Sequence, residues 1–162
     1  MHKAFLSMGS NLGDRRKNIL DGLDYLKIHA GQLQKMSGWY ETTPWGKTDQ
    51  PDFLNVAVSF TTKLDAEAFH KICQEAEWYI HPEKKKERWG PRQLDIDILY
   101  FDQDIIRTDH LSIPHPEIQN RNFVLIPLME IAPYWVDPIS GMTVEELFDA
   151  CQDTGEVILA ED

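Results

Sequence analysis

Three observations predict an α+β sandwich for this chain of 162 residues. Two segments carry apolar residues at helical spacing, each behind an aspartate suited to cap a helix. Segments of two-residue alternation flank both of them. The resulting order, strand–helix–strand twice over, is the pattern of a ferredoxin-like α/β sandwich with a βαββαβ core.

The first strand covers residues 3–8 and runs into the loop Gly9-Ser10-Asn11-Leu12-Gly13. Asp14 caps the first helix, whose apolar stripe is Ile19, Leu20, Leu23, Leu26 and Ala30; Gly31 stops it. Residues 33–42 read as the second strand, followed by a loop rich in Pro, Gly and Asp. The third strand sets Leu54, Val56, Val58 and Phe60 against Phe53, Asn55, Ala57 and Ser59. Asp65 opens the second helix, with Ala66, Phe69, Ile72, Cys73, Ala76 and Ile80 at helical spacing. A lysine-rich turn at residues 82–86 leads to the fourth strand. There Leu94, Ile96, Ile98 and Tyr100 are expected on one face, and Asp95, Asp97, Leu99 and Phe101 on the other.

A chain of this length reads as one domain, 1–162, able to bury a real core. Sixteen basic and 27 acidic residues give a net charge of −11. That disfavours nucleic acid and anionic membranes as partners, yet a local arginine cluster or a metal can still reverse the field for a nucleotide. Cys73 and Cys151 lack metal-type spacing and read as small core hydrophobes in a reducing cytosol. No secretory leader or membrane-length apolar run is visible. The expectation is a cytoplasmic monomer acting on small molecules.

Asp95 and Asp97 share one strand face, their Cα atoms ~7 Å apart. Like charges set side by side among Leu and Ile destabilise an ordinary strand. A hard divalent cation resolves the conflict, and two metals bridging a polyphosphate sit ~3.5–4 Å apart, within reach of such a pair. Arg88 and Arg92 just upstream suit phosphate oxygens. The alternative is an edge strand with solvated aspartates. Phe53 and Asn55 also share a face, and an aromatic ring beside an amide suits a flat, hydrogen-bonding heterocycle. Gly46-Lys47-Thr48 imitates the end of a Walker A loop, but Glu41 stands where its first glycine is required.

The run Arg88-Trp89-Gly90-Pro91-Arg92-Gln93-Leu94-Asp95-Ile96-Asp97-Ile98 resembles the signature of the 6-hydroxymethyl-7,8-dihydropterin pyrophosphokinases of folate biosynthesis. Three further stretches agree with that family in order. They are Gly9-Ser10-Asn11-Leu12-Gly13, Asp49-Gln50-Pro51-Asp52-Phe53-Leu54-Asn55, and Pro114-His115-Pro116 continuing through Asn120-Arg121-Asn122-Phe123. The resemblance extends from Phe5 to about Pro133. It implies a ferredoxin-like fold elaborated after Asp102 by a short hairpin and small helices. It also implies transfer of the β,γ-pyrophosphoryl unit of ATP to the pterin hydroxymethyl oxygen, with AMP released and two Mg²⁺ ions as cofactors.

Residue by residue, the resemblance implies that Asp95 and Asp97 hold the metals, and that Arg92, His115 and Arg121 contact the triphosphate or assist transfer. Gln74, Glu77, Arg88, Trp89, Ile98 and Ser112 match nucleotide-side positions. Thr42, Thr43, Trp45, Phe53, Asn55, Trp89, Asp95 and Phe123 match pterin-side positions. Two departures stand out: Trp45 replaces a residue usually aliphatic, and Lys84, Lys85 and Lys86 stand where relatives often carry arginines. Residues 43–51 and 82–90 combine Pro, Gly and charge and are expected to close over the site. Two rival classes are a non-catalytic ferredoxin-like binding module and a metal-dependent phosphohydrolase using the same carboxylates.

Overall fold

The computed structural model describes residues 1–42, 49–82 and 91–160. The chain begins with β1 (His2–Ser10), α1 (Arg15–His29), β2 (Gln32–Met36) and β3 (Tyr40–Thr42). It continues through β4 (Phe53–Thr62), α2 (Ala66–Ile80) and β5 (Asp95–Phe101). Beyond these lie the small hairpin β6 (Ile106–Arg107) and β7 (Ser112–Ile113), then α3 (Asn122–Ile131), α4 (Val144–Ala150) and β8 (Val157–Leu159). β1 is central, antiparallel to β4 on one side and β5 on the other, while β4 also pairs with β2 and β3. The core order β5-β1-β4-β2 is that of a ferredoxin-like sheet, and β8 extends it beyond β3.

The local signals for both helices hold. The Asp14 side chain accepts from Lys17 N, and the Asp65 side chain from Ala68 N, each satisfying an amide of the first turn. Ile19, Leu23 and Leu26 face inward, but Leu20 is 46 % exposed, because one residue rotates the side chain ~100° off the stripe. Gly31 follows the helix for a steric reason: a Cβ there would lie 2.2 Å from Thr61 O. The segment expected as one strand over 33–42 arrives as β2 and β3. Between them Ser37 holds to Ala57 through both backbone and side chain, its Oγ accepting from Ala57 N.

The two faces of the sheet are covered differently. Under α1 and α2, residues Leu6, Met8, Leu54, Val56, Leu94 and Ile96 pack against Ile19, Leu23, Phe69, Cys73 and Ala76 in one continuous core. A ferredoxin-like sheet with two helices on one side leaves its other face free, but here α3 and α4 cover that face over part of its area. There Phe5, Ala57, Leu99 and Tyr100 meet Val124, Leu125, Leu128 and Leu147. A β-bulge sorts these residues. Leu6 opposes Ile98 but Phe5 opposes Tyr100, so β5 carries one extra residue at this point. The alternation expected beyond Ile98 is therefore reversed: Tyr100 joins Leu99 on the α3 side, and Phe101 enters the core under α1 and α2. Among the described residues, no helix is long and apolar enough to cross a membrane.

Candidate active site

The part of the second face that α3 and α4 leave clear lies over the end of β1. The strand expected to stop at residue 8 continues to Ser10, which brings Gly9 into the sheet between Asn55 of β4 and Asp95 of β5. At ordinary strand spacing the row Asn55–Gly9–Asp95 spans ~10 Å. A Cβ on Gly9 would lie 2.6 Å from Asn55 Oδ1 and 3.5 Å from Phe53 Cδ1. The glycine thus clears a floor over which the amide and the ring lean, offsetting the roughly 0.5–1 kcal/mol that glycine costs within a strand. Asn55 is buried, and its Nδ2 donates to Thr42 Oγ1 at 2.8 Å, which sets the direction of the amide.

One row further along, Ser7 stands between Ala57 and Asp97. The chain returning from β7 brings His115 to this point, its backbone N donating to Leu99 O at 3.0 Å. His115 Nδ1 accepts from Glu117 N at 3.1 Å, so the imidazole proton resides on Nε2. Nε2 faces Asp97 Oδ1 across 3.8 Å, too long for a hydrogen bond. Burial, assisted by the nearby Arg121, pulls the imidazole down to about 4. His115 is therefore a neutral Nε2–H donor at neutral pH.

Arg121 is 9 % exposed, with its guanidinium carbon 5.7 Å from the Phe123 ring centroid. Burial lowers its pKa while Asp97, Glu117 and Asp95 raise it again, and a guanidinium in such company stays charged. The Asp97 side chain is 35 % exposed. The protein around its carboxyl still raises its pKa, with Arg121 opposing the rise. Two carboxylates thus share one strand face with a buried guanidinium and a neutral imidazole. Among the described residues, no group of three or more His, Cys, Asp or Glu side chains is placed to hold a metal. A hard cation here would take Asp95 and Asp97 and complete its shell with water and phosphate oxygens, as Mg²⁺ commonly does.

Other residues singled out in the sequence land elsewhere. Glu77 Oε2 accepts from Ile96 N at 2.8 Å and so caps the outer edge of β5. Gln74 lines an open groove of about 390 Å³ with Tyr25, Lys71, Glu75, Trp78 and Tyr79. That groove lies on the helical layer, opposite the carboxylate face. The Ile98 side chain is buried in the core under α1 and α2, and Ser112 sits on β7. Thr43, Trp45, Arg88 and Trp89 lie outside the described residues, as do most of the two segments expected to close over the site. Gly9 received no role from the sequence; a glycine interrupting an apolar strand was the available signal.

The chain matches the model of the 7,8-dihydro-6-hydroxymethylpterin-pyrophosphokinase family over residues 5–133. A Methylorubrum extorquens protein named 2-amino-4-hydroxy-6-hydroxymethyldihydropteridine pyrophosphokinase is 36% identical over 156 residues, covering 96% of this chain and 97% of the relative. A Bacillus subtilis protein of the same name is 40% identical over 129 residues, covering 79% and 77%. Among solved structures, wild-type Plasmodium falciparum HPPK-DHPS with pteroate superposes with a TM-score of 0.72 at 17% identity, over 91% of this chain. This chain spans 42% of that one, and the likeness supports the fold. On the family match and the identities to these relatives, the chain belongs to the 7,8-dihydro-6-hydroxymethylpterin-pyrophosphokinase family.

Proposed function

We propose that this chain transfers pyrophosphate from ATP to the hydroxymethyl group of 6-hydroxymethyl-7,8-dihydropterin on the face around Gly9, giving AMP and the pterin diphosphate for folate biosynthesis. The observation that carries the assignment of the site is the row Asn55–Gly9–Asp95, which sets an amide and a carboxylate on either side of a cleared floor. In this reading Phe53 and Phe123 offer aromatic faces to the pterin, and Asn55, held by Thr42, reads its edge. Thr43, Trp45 and Trp89 belong to the same pterin side and Arg88 and Ser112 to the nucleotide side; Gln74, Glu77 and Ile98, on the helical side of the sheet, join the nucleotide side if the nucleotide reaches round the β5 edge that Glu77 caps.

The transfer is an in-line displacement. The hydroxymethyl oxygen forms a bond to the β-phosphorus, the bond from that phosphorus to the α-phosphate oxygen breaks, and the hydroxyl proton passes to water. Arg121 and Arg92 bind phosphate oxygens as the leaving AMP gains charge. His115 donates its Nε2–H to a phosphate oxygen; its occupied Nδ1 and low pKa suit a donor rather than a base. Asp95 and Asp97 would hold two Mg²⁺ ions, which would neutralise phosphate charge and lower the pKa of the attacking hydroxyl. The protein acts as a monomer in the cytoplasm, one domain over 1–162, without nucleic acid or membrane.

Incubation with MgATP, with and without the pterin, tests the reading by analysis for AMP. AMP formed only when the pterin is present is the expected result. Phosphate or pyrophosphate released without an acceptor would indicate a phosphohydrolase, and no turnover at all a binding module.

A further inference from the structure

Asn11 belongs to the Gly9–Gly13 motif, and the chemistry above leaves it without a part. It is 2 % exposed, and its side chain joins two segments distant in sequence. Nδ2 donates to Gln50 Oε1 at 2.8 Å and to Pro51 O at 2.9 Å. Oδ1 accepts from Arg92 N at 2.7 Å, and Asn11 N donates to Arg92 O at 2.9 Å. Only a planar amide offers two donors toward one segment and an acceptor toward the other; Asp lacks the donors and Leu lacks both.

The joined segments flank the two halves of the site. Gln50 and Pro51 lead into the strand carrying Phe53 and Asn55. Arg92 leads into the strand carrying Asp95 and Asp97. A second residue braces the first half from outside: Arg15 Nη1 donates to Asp52 O at 3.1 Å, and Nη2 pairs with Glu41 beside Thr42. We infer that Asn11 is a positioning residue for the transfer, holding the turn at Gln50–Pro51 in register with Arg92 so that the acceptor hydroxyl and the β-phosphorus align. It touches neither substrate. This rests on the reading above that the pterin occupies the first half and the triphosphate the second.

Asn11→Asp tests it. The substitution keeps the acceptor for Arg92 N, removes both donors, and sets a carboxylate oxygen against Gln50 Oε1 and Pro51 O. A displacement near 1 Å is enough to cost ~10²-fold in alignment, so kcat should fall about 10- to 100-fold while each substrate's KM stays within about threefold. Combined with Gln50→Leu, the losses should be less than multiplicative, because both changes break the same bond. Wild-type kcat in Asn11→Asp, fully multiplicative losses, or a rise in both KM values with kcat kept would overturn the inference and leave the pyrophosphokinase reading standing. Failure of the wild-type protein to form AMP from MgATP and pterin would overturn both. Should Asn11→Asp not fold, Gln50→Leu alone decides: about a fivefold loss in kcat at unchanged KM is expected, and an unchanged kcat overturns the inference.

Discussion

The two faces of the sheet use the same strands to opposite ends. Toward α1 and α2, β1, β4 and β5 present a nearly unbroken apolar surface that is buried throughout. Toward α3 and α4, the same strands are apolar only at one end, where Phe5, Ala57, Leu99 and Tyr100 are covered. At the other end they set Asn55, Gly9, Asp95 and Asp97 side by side, with the amide and the glycine buried and the two carboxylates half-buried. A strand alternates between faces, so chemistry can be concentrated on one of them without thinning the core on the other. Buried polar groups are the liability of this plan, and several are held by a partner of their own: Asn55 by Thr42, His115 by Glu117 N, and Tyr100 by Asp137 at 2.7 Å.

The contrast breaks most sharply at the carboxylates. Asp97→Ala or Asp95→Ala should lower turnover by at least ~10³-fold while the fold survives, since the charge lost serves the ligand rather than the core. AMP release and a thermal melt on each variant measure the two effects, and turnover within tenfold of wild type would remove the carboxylates from the mechanism. The converse change is Phe69→Ala under the helices. It should cost about 3–5 kcal/mol of stability by urea unfolding, with kcat per folded molecule unchanged. A loss below about 1 kcal/mol would show that this core collapses around the gap.

His115 sharpens the comparison through pH. Its pKa is about 4 in the fold and about 6.5 in an unfolded chain. Between these values the unfolded chain takes up a proton that the fold refuses, so stability rises with pH through this window and is complete above it. At pH 5 the protein should be about 2 kcal/mol less stable than at pH 7 on this account, and His115→Gln should flatten that slope. Equal slopes for the two proteins in urea titrations at both pH values would remove the neutral-imidazole assignment. The smallest expected effect is at Phe123. Phe123→Ala should weaken pterin binding by about 1–2 kcal/mol and leave the affinity for a non-hydrolysable ATP analogue nearly unchanged. Equal losses for both ligands in calorimetry would assign the ring to the core that borders it.

Much of this molecule is written in local pattern. Asp14 and Asp65 announce two helices because a capping carboxylate acts on amides two or three residues away. The alternation through β4 and the first half of β5 announces which side chains share a face. The Asp95 and Asp97 pair is visible because like charges in an apolar strand are costly unless something binds them. Resemblance to a known family added His115, Arg121 and Phe123, which no periodicity would have selected.

What the tertiary structure alone decided are relations between distant segments. The bulge opposite Phe5 and Leu6 turns Tyr100 and Phe101 around, and a register shift depends on the partner strand rather than on β5. The inclusion of Gly9 in the sheet depends on Asn55 and Asp95 arriving on both sides of it. The cover of α3 and α4 decides how much of the second face remains open. Asn11 reads as one polar residue in a loop until the fold brings Gln50 and Arg92, 39 and 81 residues away, within reach of one amide. Capping and alternation act over a few residues and survive in any window of sequence. Pairing register and long-range hydrogen bonds exist only after the chain has closed on itself.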